Sequence, residues 1–232
     1  MPKAIKKRVK KKDVGATADV SHRLSDIKDK LREKKKTFLI YGVTAVVIVL
    51  AVAGILLYRY NADEKARRAE YEGYKVFYNQ YSRVPLSAQE RYQKALDFFK
   101  QAYTIRKSPR SLLYIANCYY ELGRYDEALT ALNDFIRQYP SEKDLLPLAY
   151  EKLASVQVKK GSKQEALKTL DTLFKLPGTI YKDTALFESA GIFESEGRKE
   201  EALSKYREIT EKFKDSPYYE EAKSKLGEKK EG

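Results

Sequence analysis

One uncharged apolar run, TFLIYGVTAVVIVLAVAGILLY at 37–58, limits most narrowly how this chain can fold. The run contains no Pro, Asn or Gln, and it lacks the polar stripe that a helix on the surface of a soluble domain carries. As a helix it is about 33 Å long, which is enough to cross a hydrocarbon core of about 30 Å. We therefore predict a transmembrane helix at 37–58. A cleavable signal sequence is the alternative, and the length of the run argues against it.

The positive charge of the chain is concentrated before this run. Residues 1–36 hold 14 Lys and Arg against 5 Asp and Glu, whereas residues 59–232 hold 32 against 28. We predict that 1–36 is a basic cytoplasmic tail, mostly disordered, with a short surface helix possible at 21–36. The triplet Lys34, Lys35 and Lys36 adjoins the membrane and suits anionic lipid headgroups. No aromatic residues interleave with the lysines of the tail, so nucleic acid is not an expected partner.

The orientation of the predicted span follows from its flanks. Seven Lys and Arg lie in the 15 residues before it and four in the 15 residues after it. The positive-inside rule then keeps the N-terminus in the cytoplasm and sends the C-terminal domain across the membrane. We predict a single-pass protein of the bacterial inner membrane with a periplasmic domain. A reversed topology and a eukaryotic organelle membrane stay open.

The region after the membrane contains a repeated pattern, Gly-x-x-x-Glu-Ala-Leu. It occurs as GRYDEAL from Gly123, GSKQEAL from Gly161 and GRKEEAL from Gly197, at intervals of 38 and 36 residues. Apolar residues with helical spacing lie on both sides of each glycine, and a proline follows each second stretch. A glycine ends a helix in a left-handed conformation and a proline prevents its continuation. The pattern predicts an array of antiparallel helix pairs.

These residues resemble the tetratricopeptide repeat, a unit of about 34 residues. The best match is the unit at about 109–142, whose signature positions hold Leu112, Ala116, Tyr119, Gly123, Tyr125, Ala128, Phe135 and Pro140. The predicted fold is all-α, with one transmembrane helix followed by a tetratricopeptide-repeat α-solenoid of antiparallel helix pairs. We divide it into a linker helix with a degenerate first repeat at 59–108, three repeats at 109–216, and a C-terminal capping helix and tail at 217–232.

A basic tail, one anchor and a short repeat array together resemble the bacterial ancillary subunit of the SecYEG translocon, the YfgM-like family. That resemblance implies a protein–protein interaction adaptor that assists exported proteins, with the translocon, a chaperone or an exported chain as partner. The alternative is a structural scaffold or self-assembling repeat protein of an envelope or organelle membrane complex, in which case the protein forms a homo-oligomer.

The first helix of each pair lines the concave face in arrays that resemble this one. Counting along those helices predicts a protein-binding groove formed by Leu113, Asn117, Tyr120, Glu151, Val158, Phe187 and Glu194. The four apolar members stand at positions expected to be open, and an aligned apolar set indicates an interaction surface. The alternative is that a helix of the degenerate first repeat covers part of this groove.

The residues needed for catalysis are scarce. The one His, His22, lies in the tail, and the one Cys, Cys118, stands beside the predicted core residue Tyr119. No phosphate-binding glycine loop, dinucleotide fingerprint or His-Glu-x-x-His motif occurs. We predict that the protein is not an enzyme and that it needs no metal and no cofactor.

Overall fold

The computed structural model describes residues 15–80, 86–178 and 181–227, with side chains from His22 onward. Across these ranges the chain forms nine helices and no strand. Its contacts divide it into two compact units, Met1–Tyr60 and Asn61–Gly232, which are described separately.

In the first unit, the described residues form the greater part of helix α1, which runs over Gly15–Phe77. The segment 15–36 is therefore helical where a mostly disordered tail was predicted, and residues 1–14 lie outside the described part of the chain. Lys34, Lys35 and Lys36 are exposed on this helix. Within the described ranges α1 is the one helix that is long and apolar enough to cross a membrane, and none of its apolar window is buried. A signal sequence would meet the same criterion.

The second unit contains the end of α1 and eight further helices. These are α2 (Ala88–Ile105), α3 (Pro109–Glu121), α4 (Tyr125–Gln138), α5 (Leu146–Lys159), α6 (Lys163–Lys175), α7 (Lys182–Ser195), α8 (Lys199–Lys212) and α9 (Tyr219–Lys225). From α2 onward each helix packs on the next, and α5 also contacts both α3 and α7. Short connections between packed neighbours make the pairs antiparallel. The predicted all-α solenoid of helix pairs is confirmed.

The three repeat glycines have the conformation that the sequence predicts. Gly123, Gly161 and Gly197 follow α3, α5 and α7 with φ of 71°, 80° and 74°. A residue with a Cβ is strained in this left-handed region, whereas glycine is not. Each glycine therefore ends the first helix of a pair sharply enough for the second helix to begin two residues later.

The end of α1 supplies the first helix of the first pair. Gly73 lies so close to α2 that a Cβ added there would be 2.9 Å from the ring of Phe99. Phe99 is fully buried, and the ring of Tyr74 packs edge-on against it with a centroid separation of 5.2 Å. Further along, the hydroxyl of Ser111 on α3 donates to the carboxylate of Glu70 at 3.3 Å. The degenerate first repeat is thus a packed helix pair formed by 61–77 and α2.

The segment from Ser216 to α9 closes the other end of the array. The ring of Tyr218 stacks on Phe187 with a centroid separation of 4.3 Å and an angle of 14° between planes. Lys225 forms an ion pair with Glu194 at 2.9 Å. Ala222 of α9 is fully buried in the same apolar cluster as Tyr206. These contacts cover apolar surface that a further repeat would otherwise bury.

Candidate binding groove

The first helices of the pairs lie side by side and form a groove that contains two cavities. The first cavity has a volume of about 500 Å³ and lies between the end of α1, α3 and α5. Its lining is formed by Tyr74, Tyr78, Arg110, Leu113, Tyr114, Asn117, Leu145, Leu148, Glu151 and Lys152. The second cavity has a volume of about 300 Å³ and lies between α3, α5 and α7. Its lining is formed by Tyr120, Ser155, Val158, Lys159, Glu188, Gly191, Ile192 and Ser195.

Three tyrosines form one wall of the first cavity. The rings of Tyr74 and Tyr114 meet edge-to-face with centroids 4.6 Å apart, and the hydroxyls of Tyr78 and Tyr114 share a hydrogen bond of 2.7 Å. Burial raises the pKa of Tyr74 and of Tyr114 well above the usual range, so both phenols stay neutral. Tyrosine rings offer a large contact area with little rotamer freedom to lose, which suits a wall that binds a peptide.

Asn117 lines the first cavity, but its Oδ1 atom is turned away from solvent. That atom is buried and accepts no hydrogen bond from any residue that the structure describes. A buried acceptor left in this state costs about 1–3 kcal/mol.

The second cavity combines apolar walls with one acidic side chain. Tyr120, Val158 and Ile192 supply ring and aliphatic surface, while the carboxyl of Glu188 supplies the acid. Among the described residues Glu188 has neither an ion pair nor a hydrogen bond. A buried carboxylate without a partner is costly, and partly buried carboxyls of this kind occur at functional sites.

Burial sets the protonation of Glu188. Burial, together with the neighbouring Glu151 carboxylate, raises the pKa of this carboxyl to about 7, and the Lys152 ammonium opposes the rise. Lys152 has other partners, because its Nζ lies 3.9 Å from the Glu151 carboxylate and 4.9 Å from the centroid of the Tyr120 ring. At neutral pH the Glu188 carboxyl is therefore divided between its protonated and charged forms.

Four of the predicted groove residues line the cavities as open positions. Asn117 and Glu151 line the first cavity, and Tyr120 and Val158 line the second. Among the apolar side chains that line the second cavity, that of Val158 is the most exposed, at 37%. The role of these four residues in binding a partner stays a prediction.

Of the other three predicted residues, one is buried at the edge of the first cavity and two line neither cavity. Leu113 touches the first cavity but is only 3% exposed, because it packs into the core between α2, α3 and α5. Phe187 and Glu194 line neither cavity, since the closing segment stacks Tyr218 on one and pairs Lys225 with the other. Phe187 and Glu194 are thus covered by the segment that follows α8, and not by a helix of the first repeat.

Sequence reasoning missed Glu188 and Ile192. On α7 the residues that line the cavity are Glu188, Gly191, Ile192 and Ser195, one position later than most of those counted. The sequence did contain a signal for Glu188, because this acid interrupts TALFESAGIF at 184–193, a stretch made otherwise of apolar and small residues. An acid within such a stretch needs either solvent or a partner.

The described residues offer little for catalysis. Among them no group of three or more His, Cys, Asp or Glu could hold a metal ion. Cys118 is buried, and burial raises the pKa of its thiol well above the usual range, so the sulfur is not a nucleophile.

The helix pairs and the groove define a tetratricopeptide-type interaction domain. The family model described as tetratricopeptide repeat-like domain matches residues 35–228, and the chain belongs to that family. Domains of this family mediate protein–protein interactions. A comparison with curated proteins finds no match.

Among the solved structures that resemble this fold are two of MamA. A double mutant of MamA RS-1 matches with a TM-score of 0.53 and 15% identity, over 72% of this chain and 86% of the other. MamA 41-end from Desulfovibrio magneticus RS-1 matches with a TM-score of 0.51 and 13% identity, over 71% and 86%. At these identities the likeness establishes the fold alone.

Proposed function

We propose that this protein is a membrane-anchored adaptor whose groove binds segments of other proteins on the periplasmic side of a bacterial inner membrane. The observation that carries the proposal is the pair of adjoining cavities along α3 and α5. They combine tyrosine and aliphatic walls with two polar side chains, the amide of Asn117 and the carboxyl of Glu188, which has neither an ion pair nor a hydrogen bond among the described residues. Peptide-binding surfaces have this composition, with apolar pockets and a few polar groups that fix orientation.

The proposed anchor is the apolar run at 37–58. Its side chains are exposed throughout, which suits lipid contact and would be unfavourable in water. The family match begins at residue 35 and therefore includes the run along with the repeats. The basic residues before the run support an N-terminus in the cytoplasm, and the resemblance to the YfgM-like family supports a place near the translocon, with exported chains or chaperones as partners.

Protease protection in spheroplasts tests the orientation. In the proposed topology an externally added protease digests the repeat domain while a cytoplasmic marker protein stays intact. A repeat domain that resists until the membrane is permeabilised would place it in the cytoplasm and refute the periplasmic part of the proposal.

Site-specific photocrosslinking in intact cells tests the groove. We would place a photoreactive phenylalanine analogue at Val158, in the second cavity, and at Thr172, exposed on α6, as the matched control. We expect discrete adducts with other proteins from Val158 alone. Equal adducts from both positions, or none from either, would contradict the adaptor function. Adducts between two copies of the chain would favour the scaffold alternative.

A further inference from the structure

We propose that the second cavity accepts a Lys or Arg side chain from the bound segment, with its aliphatic stem between Tyr120, Val158 and Ile192 and its cationic end at Glu188. This inference rests on the proposed function and names the chemistry of the partner, a segment that contains a basic residue.

The shape and composition of the cavity favour a long amphipathic side chain. A volume of about 300 Å³ exceeds what a small side chain fills, and the apolar walls lie beside the acid. Lys and Arg bury their methylene stems along apolar surface while the charged end keeps a polar partner. Glutamate or aspartate would bring a second negative charge next to Glu188 and Glu151, which is unfavourable in a partly buried site.

The charges around Glu188 leave its carboxylate available. On α5, Lys152 lies near Glu151 and over the Tyr120 ring, and the charges that act on the pKa of Glu188 are those of Glu151 and Lys152. Lys159, also on α5, lines the cavity but forms no ion pair with Glu188. The Tyr120 hydroxyl on α3 has a raised pKa, caused first by burial, and stays neutral. The Glu188 carboxyl therefore has no paired cation among the described residues, although the lining of the cavity also includes Lys159.

The position of Asn117 suits a segment that runs along both cavities. Asn117 lines the first cavity and lies three residues before Tyr120 on α3, on the same face of that helix. Residues of an extended segment advance about 3.3 Å each, so one segment can cover the first cavity and place a side chain in the second.

A selection experiment on the full chain tests the proposal. A phage-displayed library of random nonapeptides is selected against the protein in nanodiscs of neutral phosphatidylcholine, which limits binding of basic peptides to lipid. Three proteins are compared: the unchanged chain, Glu188→Gln and the control Glu165→Gln. Glu165 is exposed on α6 and does not line either cavity, so its substitution makes the same change in net charge outside the groove.

We expect Lys or Arg to be enriched at least fivefold at one position among peptides selected by the unchanged chain and by Glu165→Gln. The enrichment disappears with Glu188→Gln. Enrichment of Asp or Glu, equal basic enrichment on all three proteins, or peptides without a basic preference would overturn the inference while leaving the adaptor function intact. If the unchanged chain selects no peptide, the proposed function fails as well.

The affinity of a selected peptide supplies a second readout. Because the Glu188 carboxyl ionises around pH 7, its charged fraction rises about tenfold between pH 6 and pH 8, and the apparent affinity rises by up to that factor. Fluorescence anisotropy with the synthetic peptide measures this change. An affinity that is independent of pH in the unchanged chain, or an equal pH dependence in Glu188→Gln, would contradict a role for this carboxylate.

Discussion

Substituting Glu188 by Gln is expected to stabilise the repeat domain at those pH values at which the Glu188 carboxyl of the unchanged chain is charged. The pKa of this group rises from 4.5 to about 7 on folding, so between these values the folded state binds more protons than the unfolded state. Stability therefore falls as pH rises from about 4.5 to about 7 and stays lowered above it. Glutamine keeps the size of the side chain and has no charge to desolvate.

The magnitude follows from the pKa values. One pKa unit corresponds to about 1.4 kcal/mol, so a rise from 4.5 to about 7 corresponds to at most about 3 kcal/mol of unfolding free energy at pH 8. At pH 5 the same relation gives at most about 1 kcal/mol. The carboxyl borders a cavity open to solvent, which reduces both numbers, and we expect a measured gain of about 1–3 kcal/mol at pH 8.

Urea unfolding of the full chain in detergent micelles, followed by far-ultraviolet circular dichroism at pH 5 and pH 8, measures this gain. Glu165→Gln is the control and is expected to stay within about 0.5 kcal/mol of the unchanged chain at both pH values. A Glu188→Gln protein that is less stable at pH 8, or whose gain is the same at both pH values, would refute the reasoning. The first of these results would mean that Glu188 has a stabilising partner in the folded state, and the second that its charge is not the cause of the gain.

Three further substitutions and one labelling experiment test the packing. Gly73→Ala is expected to lower the free energy of urea unfolding by about 1–3 kcal/mol, because the added Cβ would lie 2.9 Å from the Phe99 ring. Gly191→Ala adds a Cβ with no atom within 4 Å and should raise that free energy by about 0.5–1 kcal/mol. Equal effects of the two substitutions would contradict the close approach of α1 and α2. Phe187→Ala should lower the unfolding free energy by about 3 kcal/mol and increase protease cleavage near the C-terminus, because the Tyr218 ring loses the ring on which it stacks. Cys118 should react with a maleimide only after urea unfolds the domain, and rapid labelling of the folded chain would show that it is accessible.

The sequence was sufficient for the fold because its signals are local. The glycines at 123, 161 and 197 set each turn through a left-handed conformation that depends on neighbouring residues alone. The register along α3 and α5 was predictable for the same reason, since these interior helices have a repeat on either side. Asn117, Tyr120 and Val158 therefore lie where the count placed them.

The rest of the groove depends on contacts between distant segments. The exposure of Phe187 and Glu194 is decided by residues 31 positions later in the chain, as the Glu194–Lys225 ion pair illustrates. The burial of Glu188 likewise depends on how closely α5 and α7 pack, and no spacing within α7 reveals that distance. Leu113 shows the opposite case, in which a position on the groove side is taken up by the core.

The first helix of the array is also the end of α1. The position at which a protease cuts the chain therefore decides whether the released domain keeps this helix. A cut near residue 60 would release a domain that retains Gly73 and Tyr74, with Phe99 still covered and the tyrosine wall of the first cavity complete. A cut between α1 and α2 would instead leave that helix behind. The released fragment would expose Phe99 and lose Tyr74 and Tyr78 from the wall of its first cavity. A cut at that point would therefore inactivate the binding surface, whereas a cut before it would release the surface intact.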